Sequence, residues 1–518
     1  MDDTAEHFRS HVEEILDALG QEPDREALVH RGRRVSAGEL RGLVHGMARA
    51  LRSQGVRRGQ TVTLLSGNLP ETIAARYAAG LLGCAVNHLY AGLSVDVHAD
   101  ILRDVETRAL IVDPAHHERA ADLARRVPLD RVLVLGGARG AAGGGGAGPD
   151  LVKLAAEESA EVLPGSAQPQ DVCIIRHTGG TTGHPKAICT TFEQWVSVGS
   201  DWSEGGSVRA LVCTTLAHAA GLVADTTLHR GGTVVLLDEF EAGAVLAAIE
   251  RERISHMFLL PPLLYQLMDH PEIDRTDTSS LRMLTYGGCA SSPTRLAAAI
   301  RRFGPVLNQF YGQNEAGGIS ILSPEDHDPR RPERLRTAGK VMEGVEVAVR
   351  DAEGRHLPAG ERGEICVRSP QVMKGYWKQP ELTAEVLRDG WLHTGDIGFV
   401  DSDGYVTIVD RLKDMIVVVG GHVYTAELED VLNSHPQVRQ SAVLGVPDAN
   451  LMERVHAAVV RTPAGDVGEG ELRAMVRERK GAMYEPAGIT FLDALPLTDA
   501  GKPDKKLLRS RALDRQGG

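Results

Sequence analysis

From Arg176 to Lys186 the chain reads Arg-His-Thr-Gly-Gly-Thr-Thr-Gly-His-Pro-Lys. Gly179, Gly180 and Gly183 permit unusual backbone angles and the close approach of a ligand. Thr178, Thr181 and Thr182 add hydroxyls, and Lys186 adds a mobile positive charge. Successive exposed N–H groups in such a loop form a concavity for anions, and a polyphosphate is the ligand that suits this combination. The stretch departs from the Walker pattern, because it holds no Gly-Lys-Ser/Thr triplet and Pro185 precedes the lysine. A Gly/Thr surface turn ending in lysine has the same composition, so the rest of the chain has to decide.

Five further stretches carry groups that could do chemistry. Asn308 to Glu315 delivers Tyr311, Gly312 and Glu315 at the end of an apolar run. A tyrosine face can stack on a purine, and a carboxylate can hold magnesium against phosphate oxygens. Leu216 to Gly221 sets His218 among small residues, although a lone histidine is more often structural. Asp389 to Asp396 ends in Thr-Gly-Asp, whose carboxylate accepts hydroxyl donors. Asp410 to Glu429 gathers Arg411, Lys413, Asp414, Gly420, Gly421, Glu427 and Glu429, and Leu495 to Pro503 presents Lys502. Each taken alone fits a strand end or an exposed turn equally well.

Taken together, and in their order along the chain, they resemble the adenylate-forming enzymes, the superfamily of acyl-CoA synthetases, luciferases and peptide-synthetase adenylation domains. The resemblance implies a large N-terminal domain over 1–409 that binds ATP and an acid, and a mobile C-terminal domain over 410–518 that carries the catalytic lysine, Lys502. It implies that Thr178, Gly179, Gly180, Thr181, Thr182, Gly183 and Lys186 position phosphates, with Glu315 and Thr181 at Mg2+. Gly287, Gly288, Tyr311, Gly312 and Asn314 would line the nucleotide site, and Asp396 with Arg411 would take the ribose. His218 would stand beside the acid pocket. Lys413 matches the hinge, and Gly420 matches the place where a phosphopantetheine arm passes the backbone, which requires the absence of a side chain. Two departures stand out: Asn314 replaces the threonine of the family's Tyr-Gly-x-Thr-Glu, and the proline expected before Leu216 is missing.

The implied reaction joins an acid to AMP at the expense of ATP and passes the acyl group to coenzyme A. Lys502 would neutralise charge that develops on the acid and α-phosphate oxygens. Alternatives are a separate carrier protein or an amine as acceptor, or another acid such as nitrite in the diazotisation of an aryl amine. A nucleotide-binding protein without turnover is a further class, against which Lys186, Glu315, Asp396 and Lys502 stand together. Small side chains at Gly287, Gly288 and Ala290, beside Tyr286 and Cys289, leave room for an aryl or medium-chain acid.

The elements that must position these groups show an α/β pattern. Apolar spacing predicts helices over 39–53, 70–82, 97–105 and 242–253, and strands over 61–65, 85–89, 109–112, 131–135, 172–175, 211–216, 233–237, 257–260, 281–286 and 306–311. Repeated strand–helix–strand units imply mainly parallel sheets covered by helices. Ligands of such sheets sit outside the carboxyl ends of strands, so the Gly-bearing ends near 178, 287 and 312 are expected to converge. Gly136 to Gly148 is nearly all Gly and Ala and reads as a flexible surface loop. From Val345 the pattern turns to hairpins, with turns at 351–354 and 401–404. A small α+β unit follows, with helices over 426–434 and 470–480 and strands near 440–446 and 455–460.

Composition bounds the rest. A chain of 518 residues with 42% hydrophobic and 25% charged residues supports more than one globular domain. Its net charge of −13 excludes a general nucleic-acid binder, so phosphates must be held by local donors. Six cysteines lie scattered without CxxC pairs, which fits reduced thiols in a reducing cytoplasm. The acidic N-terminus opens no apolar segment, so no signal peptide is expected, and no apolar run reaches membrane-spanning length.

Overall fold

The computed structural model describes residues 8–137, 148–178, 186–196, 208–412, 414–418, 421–447, 453–498 and 501–516. Of the expected site residues, Gly179, Gly180, Thr181, Thr182, Gly183, Lys413 and Gly420 therefore lie outside the described residues, as does most of the Gly/Ala stretch 136–148.

Among the described residues the large N-terminal domain holds three sheets. A nine-stranded sheet has six parallel strands at its centre, in the order Leu307–Gln313, Met283–Gly287, His256–Leu259, Arg209–Val212, Thr233–Leu236 and Glu26–His30. Antiparallel strands flank it, Gly317–Leu322 and Lys340–Val341 at one edge and Arg33–Ser36 at the other. A seven-stranded sheet repeats the plan, with parallel strands Val172–Thr178, Ala85–His88, Thr61–Leu65, Thr107–Val112 and Arg131–Val134 and an antiparallel edge of Lys186–Thr191 and Gly375–Tyr376.

Side chains alternate between the two faces of a strand, and this places one core on each face. Ala210, Val212, Val234 and Leu236 point into a core shared with Val62, Leu64 and Ile111 of the other sheet. The helices Ala37–Ser53, Pro70–Leu81 and Ala219–His229 fill the space between. Leu211, Val235, Met257 and Leu284 point the other way, under the helices Ala242–Glu252, Pro261–Met268 and Pro293–Phe303. Parallel strands buried on both faces read as continuous apolar runs, which is why they were visible in the sequence.

Two expectations need correction. The run 211–216 is a strand only to Val212. Beyond it Asn68 captures the chain, donating from Nδ2 to the Thr214 carbonyl at 3.0 Å and accepting from the Leu216 N–H at 3.2 Å. The strand placed at 172–175 runs on to Thr178, because Lys186–Thr191 pairs with it antiparallel and carries the ladder to Thr178 and Lys186. Arg176, His177 and Lys186 are thus hairpin residues and not part of the loop.

A five-stranded antiparallel sheet follows, Glu346–Arg350, Gly363–Arg368, Leu387–Arg388, Trp391–Val400 and Val406–Arg411. Its turns close at 351–354 and 401–404, where Gly354 and Gly404 donate to Asp351 and Asp401 carbonyls at 3.0 and 3.1 Å. The small C-terminal domain has its own core around Leu428, Val443, Val459 and Val476. Its three-stranded sheet, Val438–Pro447, Glu453–Arg461 and Gly488–Leu492, packs with the helices Thr425–Asn433 and Glu469–Lys480. Ion pairs join the two domains: Arg439 to Asp269 at 2.6 Å, Arg362 to Glu427 at 2.9 Å, and Arg336 to Asp430. Among the described residues no helix is long and apolar enough to cross a membrane, and the six cysteines are free thiols.

Candidate active site

Two neighbouring parallel strands set the frame. Met283–Gly287 and Leu307–Gln313 run side by side with Gly287 opposite Phe310. A Cβ on Gly287 would stand 2.1 Å from the Phe310 carbonyl oxygen, so the close approach demands glycine. Gly312 is constrained likewise, since a Cβ there would meet the Gly317 carbonyl oxygen at 2.3 Å. Its absent side chain serves the hairpin.

The second strand delivers Tyr311 to a carboxylate. The Tyr311 hydroxyl donates to Asp396 Oδ2 at 2.6 Å, and Gln313 Nε2 donates to the same oxygen at 2.6 Å. Arg411 Nε lies 2.6 Å from Asp396 Oδ1. Asp396 itself is only 2% exposed. A carboxylate offers about four lone-pair sites, so three donors leave room for one hydroxyl of a ligand. Burial, then the Asp396 charge, pushes the Tyr311 hydroxyl well above the usual tyrosine range and keeps it a donor.

The turn after this strand carries Asn314 and Glu315. Glu315 Oε1 accepts from the Tyr376 hydroxyl at 3.3 Å. The Lys186 ammonium sits 5.1 Å from the centre of the Tyr376 ring. One tyrosine therefore links the lysine at the phosphate hairpin to the carboxylate expected at Mg2+.

Lys502 comes from the small domain. Its turn is closed by Thr498 donating to the Lys502 carbonyl and Gly501 donating to the Thr498 carbonyl, both at 2.7 Å. Lys502 Cε lies 3.8 Å from where a Cβ on Gly288 would stand. His218, at the start of the helix Ala219–His229, lies near enough to Lys502 to feel its charge and packs on Tyr90 with ring centres 4.9 Å apart. Burial first, then the Lys502 ammonium and His88, pulls His218 down to about 4, so it is a neutral imidazole at neutral pH.

Matching sequence models now identify the family. The model described as AMP-binding enzyme matches residues 16–377, and that of the AMP-binding enzyme C-terminal domain matches residues 427–502. The chain belongs to the AMP-binding enzyme family. It is an AMP-forming ligase. Medium/long-chain-fatty-acid–CoA ligase FadD8 of Mycobacterium tuberculosis is 37% identical, over 97% of this chain and 90% of the relative. Feruloyl-CoA synthase of an Amycolatopsis species is also 37% identical, over 94% and 96%. Among solved structures, the amide bond synthetase McbA of Marinactinospora thermotolerans is 39% identical, covers 97% of this chain and 99% of its own, and superposes with a TM-score of 0.87.

In this AMP-binding enzyme the structure links Lys186 to Glu315 through Tyr376, Tyr311 and Arg411 to Asp396, and Lys502 to the backbone at Gly288, with Gly287 and Asn314 next to these residues in the chain. Sequence reading missed Asn68, Gln313 and Tyr376; Gln313 stands within the Asn308–Glu315 stretch, but its neutral amide carries no signal of its own. Their roles come from partners far along the chain: Tyr376 meets Glu315 across 61 residues, and Asn68 meets Thr214 across 146.

Proposed function

We propose that this AMP-binding enzyme activates a fatty or aryl carboxylic acid with ATP and transfers the acyl group to the thiol of coenzyme A. The observation that carries the reading is Lys502 reaching Gly288 near a neutral His218, with Tyr311, Asp396 and Arg411 bonded together between the nine-stranded and the five-stranded sheets.

In the first step a carboxylate oxygen attacks the α-phosphorus of ATP. The new O–P bond forms as the bond to the bridging oxygen breaks, and pyrophosphate leaves. Asp396 and Arg411 hold the ribose, Thr178, Thr181, Thr182 and Lys186 hold the β- and γ-phosphates, and Lys502 neutralises charge gathering on the acid and α-phosphate oxygens. The Glu315 carboxylate is a hard oxygen donor, one oxygen of which accepts from the Tyr376 hydroxyl, and such a group suits Mg2+. When bound there, the ion screens phosphate charge.

In the second step the unit 410–518 turns about Lys413, withdraws Lys502 and brings Gly420 to the path of the thiol. Sulfur attacks the acyl carbon, the bond to AMP breaks and the thiol proton is released. The relatives named as CoA ligases support this acceptor.

An amine is the second reading, supported by the 39% identity to an amide bond synthetase. Nitrogen would then attack the acyl carbon and release AMP in the same way. The test measures AMP release with a panel of fatty and aryl acids, each with coenzyme A, with an alkyl or aryl amine, or with neither, and identifies products by mass. A thioester is the expected product; an amide without thioester moves the enzyme to the second reading. No AMP with any carboxylic acid would sink both.

A further inference from the structure

Glu364, Cys366 and His393 form a cluster that the reaction above does not use. Cys366 and His393 face each other across the antiparallel ladder of Gly363–Arg368 and Trp391–Val400. Glu364 lies two residues from Cys366 on the same face. One donor atom from each lies within 4.8 Å of the others. Their spacing would admit a cation, but the contacts speak for another role. Both Glu364 oxygens are engaged: Oε2 lies 2.7 Å from His393 Nδ1, and Oε1 accepts the Gly395 N–H at 3.0 Å. Arg388 also approaches Oε2 to 4.0 Å, which opposes a second positive charge there.

The ladder explains why such an anchor is needed. Glu364 pairs with Ile397 and Cys366 with His393, so two steps along one strand oppose four along the other. Residues 394–396 therefore bulge out of pairing with Gly363–Arg368, while Asp396 stays opposite Arg411 on the other side of its strand. A bulge re-aims a side chain, and this one aims Asp396 at Tyr311, Gln313 and Arg411. It also removes backbone groups from the ladder, and each of these needs a partner. Glu364 takes the Gly395 N–H. The Thr394 hydroxyl donates to the Ile365 carbonyl at 2.6 Å and accepts the Asp396 N–H at 3.0 Å. The Gly395 carbonyl accepts the Leu412 N–H at 2.8 Å, one residue before Lys413.

We propose that Glu364, backed by His393, is the positioning residue that holds this bulge, and through it the ribose contact of Asp396. The proposal rests on the ribose role assigned to Asp396 in the functional reading.

The test is calorimetric titration of Mg-ATP, 2′-deoxy-ATP and 3′-deoxy-ATP into the full chain, which needs no knowledge of the acid. Wild type is expected to bind ATP more tightly than at least one deoxy analogue. Glu364→Ala is expected to weaken ATP by about tenfold, the loss of one hydrogen bond to a charged group, and to bring the ATP/deoxy ratio towards one. Glu364→Gln, which keeps an acceptor for Gly395, is expected to restore most of that ratio. Glu364→Ala that retains the full wild-type ratio has only a structural residue removed, and the proposal fails. Should Glu364→Ala not fold, His393→Leu carries the same readout, an unchanged ratio again overturning the proposal. A wild-type chain that binds ATP without discriminating overturns the ribose assignment as well, which separates failure of the functional reading from failure of the Glu364 inference.

Discussion

Lys502 reaches the crevice from a turn that closes on its own backbone, so its side chain is placed by a few local bonds and by the docking of the small domain. Removing a preorganised charge from a developing anion costs about 10²–10³ in rate. Lys502→Ala is accordingly expected to lower ATP–pyrophosphate exchange by about that factor, while calorimetry still finds ATP bound. Exchange at the wild-type rate would remove Lys502 from the reaction. The lysine was legible in the sequence because Thr498, Gly501 and Pro503 build the turn from neighbours. Gln313 was not legible, since its amide gains meaning only when Asp396 arrives from 83 residues away.

His218 depends on the helix Ala219–His229, and that helix is fastened from inside. Asp225, 4% exposed, receives Arg76 through both Nη atoms, one at 2.7 Å, and the Tyr77 hydroxyl at 2.7 Å. Arg76 and Tyr77 belong to the helix Pro70–Leu81, which is buried at every position but Glu71. Breaking a buried pair from one side leaves an uncompensated charge and costs about 3–5 kcal/mol, whereas replacing both partners by apolar residues is often close to neutral. Asp225→Ala should therefore lower the urea midpoint markedly, and Arg76→Met with Asp225→Leu should recover most of the loss. A double variant as unstable as the single one would refute this account. The helix itself was not among the elements read from the sequence, because small and apolar residues surround it and give no single stripe.

At the scale of the whole molecule, the ion pairs of Arg439, Glu427 and Asp430 help to hold the small domain where Lys502 meets Gly288. Such partly exposed pairs are worth about 0–1 kcal/mol each. Asp269 is the richest junction, holding Arg439 from the small domain at 2.6 Å and Arg295 of its own domain at 2.8 Å. Asp269→Asn is expected to slow pyrophosphate exchange by up to about fivefold, the factor for 1 kcal/mol, and to spare transfer from preformed adenylate. Equal loss in both half-reactions would show that the pair does not set domain orientation. Acid lability is a second global property. Burial drives His11 down to about 3 and His45, His88, His177, His218 and His256 to about 4. Unfolding lets each bind a proton near 6.5, so the unfolded state takes up more protons between about 4 and 6.5. Stability is then fully present above 6.5 and lost as pH falls through that window. Asp410, pushed up to about 6 by burial, acts in the opposite sense but alone. The melting temperature should fall steadily from pH 6.5 to pH 4, and a flat profile would contradict it.

The sequence by itself determined the α/β class, the parallel strands and the order of the motifs, because apolar period, turn residues and short charged motifs act over neighbouring positions. It also marked Lys186, Tyr311, Glu315, Asp396, Arg411 and Lys502. Only the tertiary structure decided that the chain around Asp396 bulges away from Gly363–Arg368, that Glu364 and Gln313 hold it there, and that Asn68 ends the strand before His218. Those facts depend on which distant backbone groups lose their partners, and no local pattern records that.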